Sequence, residues 1–266
     1  MLSYSWTELD VQGTQMPNSI TIIPIFGLPE IKPGHDLVKM VIEATSKQDL
    51  KIQDRDIFVF AQKIVSKSEG RIVKITDVSP SPFAVETGKL LDKDPRIVEI
   101  ILRESRRIVK MDRGRLIVEN TKGIVCANAG VDMSNVGGGM EATLLPEDPD
   151  ESAKRFAEGF KKELGVDVAV IITDTVGRPW RDGLVQIAIG CYGISPLKDY
   201  RGKKDSKGYD LRATALAVAD EISSAAGLVM GKTEGVPVAV VRGYEYEKST
   251  EGTKRLLRNP ENDLFR

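Results

Sequence analysis

The chain is short of the residue types on which several common chemistries depend. It has one histidine and two cysteines in 266 residues. His35 sits in a Pro-Gly-His-Asp turn, so neither a Ser-His-Asp relay nor a Cys-His pair is at hand. Cys126 and Cys191 lie far apart in apolar surroundings without CxxC spacing. They are predicted to be buried free thiols in a reducing compartment, which argues against zinc or redox chemistry. No apolar run approaches the roughly 20 residues that cross a bilayer. The opening MLSYSWTELDVQGTQM has neither the basic start nor the apolar centre of a secretory signal, and a cytoplasmic location is expected. Excess charge is missing too: 38 basic and 39 acidic side chains leave a net charge of −1. Without a basic stripe interleaved with aromatics, the composition does not favour nucleic acid or an anionic membrane as partner. Internal repeats, low-complexity tracts and flexible linkers are also lacking.

What is there is an ordinary globular mixture, 41% hydrophobic and 29% charged, with enough chain for one large domain or two modest ones. Apolar, β-branched runs predict strands over 20–26, 57–61, 116–121, 123–130, 168–174 and 237–243, with short ones around the AIG and YGI triplets. Helical spacing predicts helices over 37–47, capped by Asp36, over 80–104 with a break at Pro95, over 150–164 and over 211–230. The stretch 131–150, rich in glycine and proline, reads as an ordered loop, with a boundary between lobes near 136–150. The alternation of elements points to an α+β (mixed α/β) fold that is two-lobed and non-Rossmann, with a cleft between the lobes.

Four segments carry candidate chemistry. Asn128-Ala129-Gly130-Val131-Asp132-Met133-Ser134-Asn135 delivers carboxylate and amide oxygens into a glycine-rich stretch, a donor set suited to Mg2+ or Mn2+; the bland use of the same residues is an Asx-type turn. Thr173-Asp174-Thr175 ends a buried strand, where ligands commonly bind. Arg178, Trp180 and Arg181 follow it, offering guanidinium clamps and a stacking surface, or merely a strand-end turn with surface arginines. Met230-Gly231-Lys232-Thr233-Glu234-Gly235-Val236-Pro237 contains GKT but is not a Walker A loop. Gly227 and Gly231 enclose three residues where four are needed, and the segment ends a helix rather than beginning one. Lys232 is left as a phosphate contact or as part of a plain helix C-cap. Lys63, Lys67 and Arg71 form a cationic cluster after a strand, matched to a triphosphate or simply solvated.

Taken together, these segments resemble the coenzyme F-420:gamma-glutamyl ligase family. The resemblance runs over about residues 20–245 and is carried by PIFGLP (24–29), AQKIVSKSEGR (61–71), NAGVDMSN (128–135), LLPEDPD (144–150), ITDTVGRPWR (172–181) and the interrupted run 219–243. It implies an N-terminal extension (1–17), a ligase domain (18–245) and a C-terminal tail (246–266). It further implies a homodimer and an enzyme that uses GTP to join L-glutamate to the carboxylate of a deazaflavin precursor, through an acyl phosphate, and then adds γ-linked glutamate. By the same resemblance Asp132 and Asp174 hold divalent cations, Mg2+ or Mn2+, Thr175 assists a second one, and K+ is a further candidate. Phe26, Gly27, Leu28, Pro29, Gln62, Lys63, Lys67, Asn135 and the turn Met230, Gly231, Lys232, Thr233, Glu234, Gly235 and Val236 are then expected to contact GTP. Arg178 and Arg181 are candidates for the acidic substrate or glutamate, and Trp180 for stacking on the deazaflavin.

One departure stands out. Some members carry a metal-binding Glu or Gln directly after the Met-Gly pair, where this chain has Lys232. A protonated lysine cannot ligate, so a second metal loses a ligand, takes Glu234 instead, or is partly replaced by the ammonium charge. Two other readings of the whole chain stay open on sequence alone. One is an amide ligase with a different acceptor; the other is a nucleotide- and metal-binding regulatory protein without turnover.

Overall fold

The computed structural model describes residues 19–136 and 139–263. The expected extension, 1–17, lies outside the described residues. In chain order the elements are β1 (Thr21–Ile25), α1 (Leu37–Lys47), β2 (Ile57–Ala61), α2 (Gln62–Ser68), β3 (Ile72–Lys74), α3 (Pro82–Leu91), α4 (Pro95–Arg103), β4 (Ser105–Asp112), β5 (Arg115–Asn120) and β6 (Val125–Ala127). They continue with β7 (Asp132–Val136), β8 (Gly139–Thr143), α5 (Pro149–Leu164), β9 (Ala169–Arg178), β10 (Arg181–Tyr192), β11 (Lys198–Asp199), β12 (Ala215–Leu216), α6 (Val218–Met230) and β13 (Val238–Arg242). Helices and sheets are interleaved, as the mixed α+β expectation requires. Among the described residues no helix is long and apolar enough to cross a membrane.

The main sheet has the order β1-β13-β2-β9-β10, and only its β2–β9 pair is parallel. Its central strands read IFVFA and AVIITDTVGR, apolar on both faces where they pair, because helices cover both sides. Phe58 and Phe60 point to the side of α1 and α5, and Phe58 stacks on Phe160 with ring centroids 4.3 Å apart. Ile57, Val59 and Ile171 point the other way, onto Val218, Ile222 and Ala226 of α6. Each fully buried side chain of this size contributes about 1.5–3 kcal/mol. Four of the helices begin at a side-chain cap. Asp36 accepts from Lys39 N, Ser81 from Ala84 N, Asp94 from Arg96 N and Asp148 from Glu151 N, and the last three are followed by proline at the first helical turn.

Two three-stranded sheets, β3-β8-β7 and β4-β5-β6, pack with α3 and α4 around separate cores. One holds Leu91, Val98, Ile101, Leu116 and Val118; the other holds Ile75, Ile100, Ala142 and Leu144. Arg71 stitches them together: its Nη2 donates to both Glu104 oxygens at 3.1 and 3.0 Å and its Nε to the Leu145 carbonyl at 3.0 Å.

Several local expectations are corrected. Residues 131–150 are not a loop throughout, since Asp132–Val136 and Gly139–Thr143 pair as antiparallel strands. Composition misled here, because the glycines flank segments whose alternating residues find cross-strand partners. The polar residues that follow the strand, Lys63, Ser66 and Lys67, lie on helix α2, an element not expected from the sequence. The helix expected over 211–230 begins at Val218, because Ala215 and Leu216 pair with Asp199 and Lys198 instead; tertiary pairing overrides the helical preference of alanine and leucine. AIG belongs to one twelve-residue strand rather than a short one. Both cysteines are buried and free, as expected.

Candidate functional site

Parallel pairing of β2 with β9 sets Ala61 beside Thr173 and brings the carboxyl ends of the two strands together. Beyond those ends opens a cavity of about 810 Å³, of the size that takes small molecules. Five parts of the chain wall it: the segment after β1 with Leu28 and Pro29, the first turns of α2 with Gln62, Lys63 and Lys67, the start of β7 with Asp132, β9–β10 with Asp174, Thr175 and Gln186, and the end of α6 with Met230, Gly231 and Lys232.

Asp132 reaches the cavity through an unusual piece of backbone. Asn128, Ala129 and Gly130 have φ of +53°, +57° and +76°, a short left-handed turn between β6 and β7. Such a conformation costs an L-residue roughly 1–2 kcal/mol, so the surrounding packing must hold it. Gly130 is pressed against Leu145: an added Cβ would lie 2.8 Å from Leu145 Cδ1. The Asn128 Oδ1 atom is buried without a hydrogen-bond partner. Beyond this turn Asp132 opens β7, with its Oδ2 2.7 Å from Lys63 Nζ.

Asp174 approaches from the main sheet, paired across β9–β10 with Ile187. Burial pushes its carboxyl up to about 6, and the nearby Asp132 charge adds to the rise. The Thr175 backbone N–H, at 2.7 Å from Oδ1, opposes it, as do the Lys232 charge and a side-chain hydrogen bond from Gln62. Burial also lifts the Cys126 thiol to about 12, with the Asp174 charge contributing, so this neighbouring sulfur stays protonated.

Lys232 stands on a fixed turn. Gly231 ends α6 at φ +57°, and the Glu234 Oε2 atom accepts from the backbone N–H of Lys232 at 2.7 Å and of Thr233 at 2.8 Å. These contacts aim the ammonium at the cavity, where it donates to Thr175 Oγ1. Lys67, mostly buried, pairs with Glu30 on the same wall.

The donor set fits a hard divalent ion. It offers two carboxylates and a hydroxyl, one carboxylate being held in a desolvated place that favours added positive charge. Among the described residues no cluster of three or more His, Cys, Asp or Glu could by itself hold a metal ion. Mg2+ is commonly bound by one or two carboxylates together with phosphate oxygens and water.

Other expected site residues are placed differently. Gly235 and Val236 line the cavity; Gly27, Thr233 and Glu234 do not, and Phe26 is exposed with its N–H on Gln48. Arg178, Trp180 and Arg181 lie at the turn between β9 and β10, outside the cavity lining. Trp180 is 80% exposed, and Arg178 Nη2 reaches the Asp182 carbonyl at 3.4 Å. Asn135 is on β7, with its side chain outside the described residues. Gln186 and Glu30, which also line the cavity, went unnoticed in the sequence. The pairing of Gln186 with Thr175 is the signal that finds the first, once β9 and β10 are seen to form one long hairpin.

A second cavity, of about 340 Å³, lies between the start of α5, β10 and residues 253–257. Its half-buried carboxylates are engaged by the fold: Asp150 accepts from Cys191 N and Thr253 N, and Asp220 from Ala188 N. These contacts close the outer edge of β10, and the larger cavity is the candidate site.

Comparison with known proteins bears on what that cavity does. The family model described as F420-0:Gamma-glutamyl ligase matches residues 26–243. The chain is 43% identical over 250 residues to the coenzyme F420:L-glutamate ligase of Methanothermobacter thermautotrophicus, covering 93% of this chain and 99% of that protein. It is 42% identical over 242 residues to the protein of the same name from Methanopyrus kandleri, covering 89% and 94%. A third of that name, from Methanocaldococcus jannaschii, is 44% identical over 216 residues, covering 81% and 86%.

Proposed function

This chain belongs to the F420-0:gamma-glutamyl ligase family, and from that premise we propose that it uses GTP to join L-glutamate to the carboxylate of the F420 precursor and then adds a γ-linked glutamate. The observation that carries this reading is the convergence of Asp132 and Asp174, from different sheets, on one cavity whose walls also present Lys63, Lys67 and Lys232.

A carboxylate in water is a poor electrophile until one of its oxygens becomes a good leaving group. Transfer of the γ-phosphoryl group of GTP to the acceptor carboxylate makes that leaving group and releases GDP. The amine of glutamate, having lost a proton, then attacks the acyl carbon; the C–N bond forms as the C–O bond to phosphate breaks. Phosphoryl transfer relies mainly on positioning and charge neutralisation. Lys63, Lys67 and Lys232 supply three ammonium groups for the triphosphate oxygens, and Leu28, Pro29 and Val236 give an apolar wall for the guanine base. Asp132 and Asp174 are the residues that would hold Mg2+ or Mn2+, which when bound offsets charge developing on the transferring phosphoryl group. The left-handed turn 128–130 holds Asp132 in place so that its position is not bought anew at each turnover. The protein is proposed to act in the cytoplasm as a homodimer.

The test incubates purified protein with GTP, Mn2+, L-glutamate and the F420 precursor, and follows the product by mass spectrometry. A glutamyl mass increment that needs all four supports the reading. Phosphate release without glutamate incorporation, or none at all, counts against it.

A further inference from the structure

Of the three fates open to the position after the Met-Gly pair, the contacts around it favour one. Glu234 does not turn toward the cavity. Its Oε2 atom is taken by two backbone N–H groups of its own turn, at 2.7 and 2.8 Å, and the residue is absent from the cavity wall. The Thr175 side of the site is therefore left with a neutral hydroxyl and whatever Asp174 shares. One Asp174 oxygen already accepts the Thr175 N–H at 2.7 Å. Onto this side reaches the Lys232 ammonium, donating to Thr175 Oγ1.

The opposite side differs. There Lys63 sits on a full carboxylate, Asp132, at 2.7 Å. A carboxylate can exchange an ammonium for a divalent ion with a gain in attraction, because the incoming charge is doubled. A hydroxyl offers no comparable gain, and an ion entering beside Thr175 would meet the Lys232 charge at close range. The backbone from which Lys232 reaches this position is itself held, its N–H bound by Glu234 and the preceding Gly231 at a positive φ.

We propose that the Lys232 ammonium is a built-in cation that takes the place of one of two metal ions at the triphosphate, so that this protein binds a single divalent ion per chain. The inference rests on the reading of the cavity as a GTP and metal site. It makes Lys232 a covalently tethered counterpart of a mobile ion, supplying charge at the Thr175 side independently of metal concentration.

The experiment counts ions rather than turnover. Wild-type protein, Lys232→Glu and Lys232→Arg are equilibrated with Mn2+ and a non-hydrolysable GTP analogue. Bound Mn2+ per chain is measured by electron paramagnetic resonance titration and by elemental analysis after desalting. One Mn2+ for wild type and for Lys232→Arg, rising to two for Lys232→Glu, is the expected result. Two ions in the wild type, or one in a folded, analogue-binding Lys232→Glu, overturns the proposal while leaving the ligase reading standing. If Lys232→Glu does not fold, the wild-type and Lys232→Arg counts decide alone: one each supports the proposal and two overturns it. Wild-type protein that binds neither Mn2+ nor the analogue overturns the ligase reading and this inference with it.

Discussion

Asp132 and Asp174 stand on different sheets, yet both line one cavity, and the Asp132 charge adds to the rise of the Asp174 carboxyl. Asp132 begins a strand of a small sheet, and Asp174 lies in the long β9 of the main one. If they hold the cation used in phosphoryl transfer, Asp132→Asn and Asp174→Asn should each lower the rate of glutamylation by about two orders of magnitude or more, the scale seen when a preorganised electrostatic contact is removed. Steady-state assays at saturating Mn2+ would read this. Near-normal rates in either variant would remove the acidic pair from the mechanism.

The protonation of Asp174 gives a second test, in metal-free protein. Its folded-state value, about 6, lies above the ordinary 3.8, so the protonated form favours the fold. That stabilising share is fully present below about pH 4 and is lost as pH rises through about 6. Asp174→Asn should therefore be more stable than wild type at pH 7.5, by on the order of 2–3 kcal/mol, and lose most of that advantage at pH 4. Thermal melts in EDTA at the two pH values measure it. An equal difference at both would mean that burial does not penalise this carboxylate.

The left-handed turn before Asp132 predicts the effect of a single methyl group. Gly130→Ala places a Cβ 2.8 Å from Leu145 Cδ1 at a φ of +76°. The expected cost is about 1–3 kcal/mol of stability, together with weaker Mn2+ binding because Asp132 shifts. Denaturant titration and Mn2+ titration should report both losses. Unchanged Mn2+ affinity would separate the turn from the site.

Arg242→Met probes the frame rather than the site. Asp56 is 1% exposed, and both its oxygens accept from Arg242 at 2.7 Å. Removing the guanidinium strands a buried carboxylate at the start of β2, at a cost of about 3–5 kcal/mol. Chemical denaturation should reveal the loss, and Arg242→Met with Asp56→Leu should recover much of it.

How much of this was legible in the sequence varies by element. The central strands were readable because covered parallel pairing demands unbroken apolar runs, and Phe58–Val59–Phe60 and Val170–Ile171–Ile172 supply them. Helices α1 and α5 carried their own start signals in Asp36 and the Asp148–Pro149 pair. The hairpin from β7 to β8 was hidden because its residues are held by cross-strand partners rather than by their own propensities. Asp132 and Asp174 could be nominated from local context and family likeness. That they would face one cavity depends on contacts between segments far apart in the chain, which no local pattern records. Arg178 and Arg181, nominated for their chemistry alone, stand at the hairpin turn outside the cavity lining.

The cavity draws its acidic groups from parts of the protein with separate apolar interiors, Asp174 from the sheet built on Phe58 and Phe160 and Asp132 from the sheet built on Ala142 and Ile75. A chain in which only one interior had formed would carry half a receptor. Nucleotide capture would thus serve as a proofreading signal for completed folding: ligand added to a refolding mixture should stabilise only molecules in which both interiors have condensed.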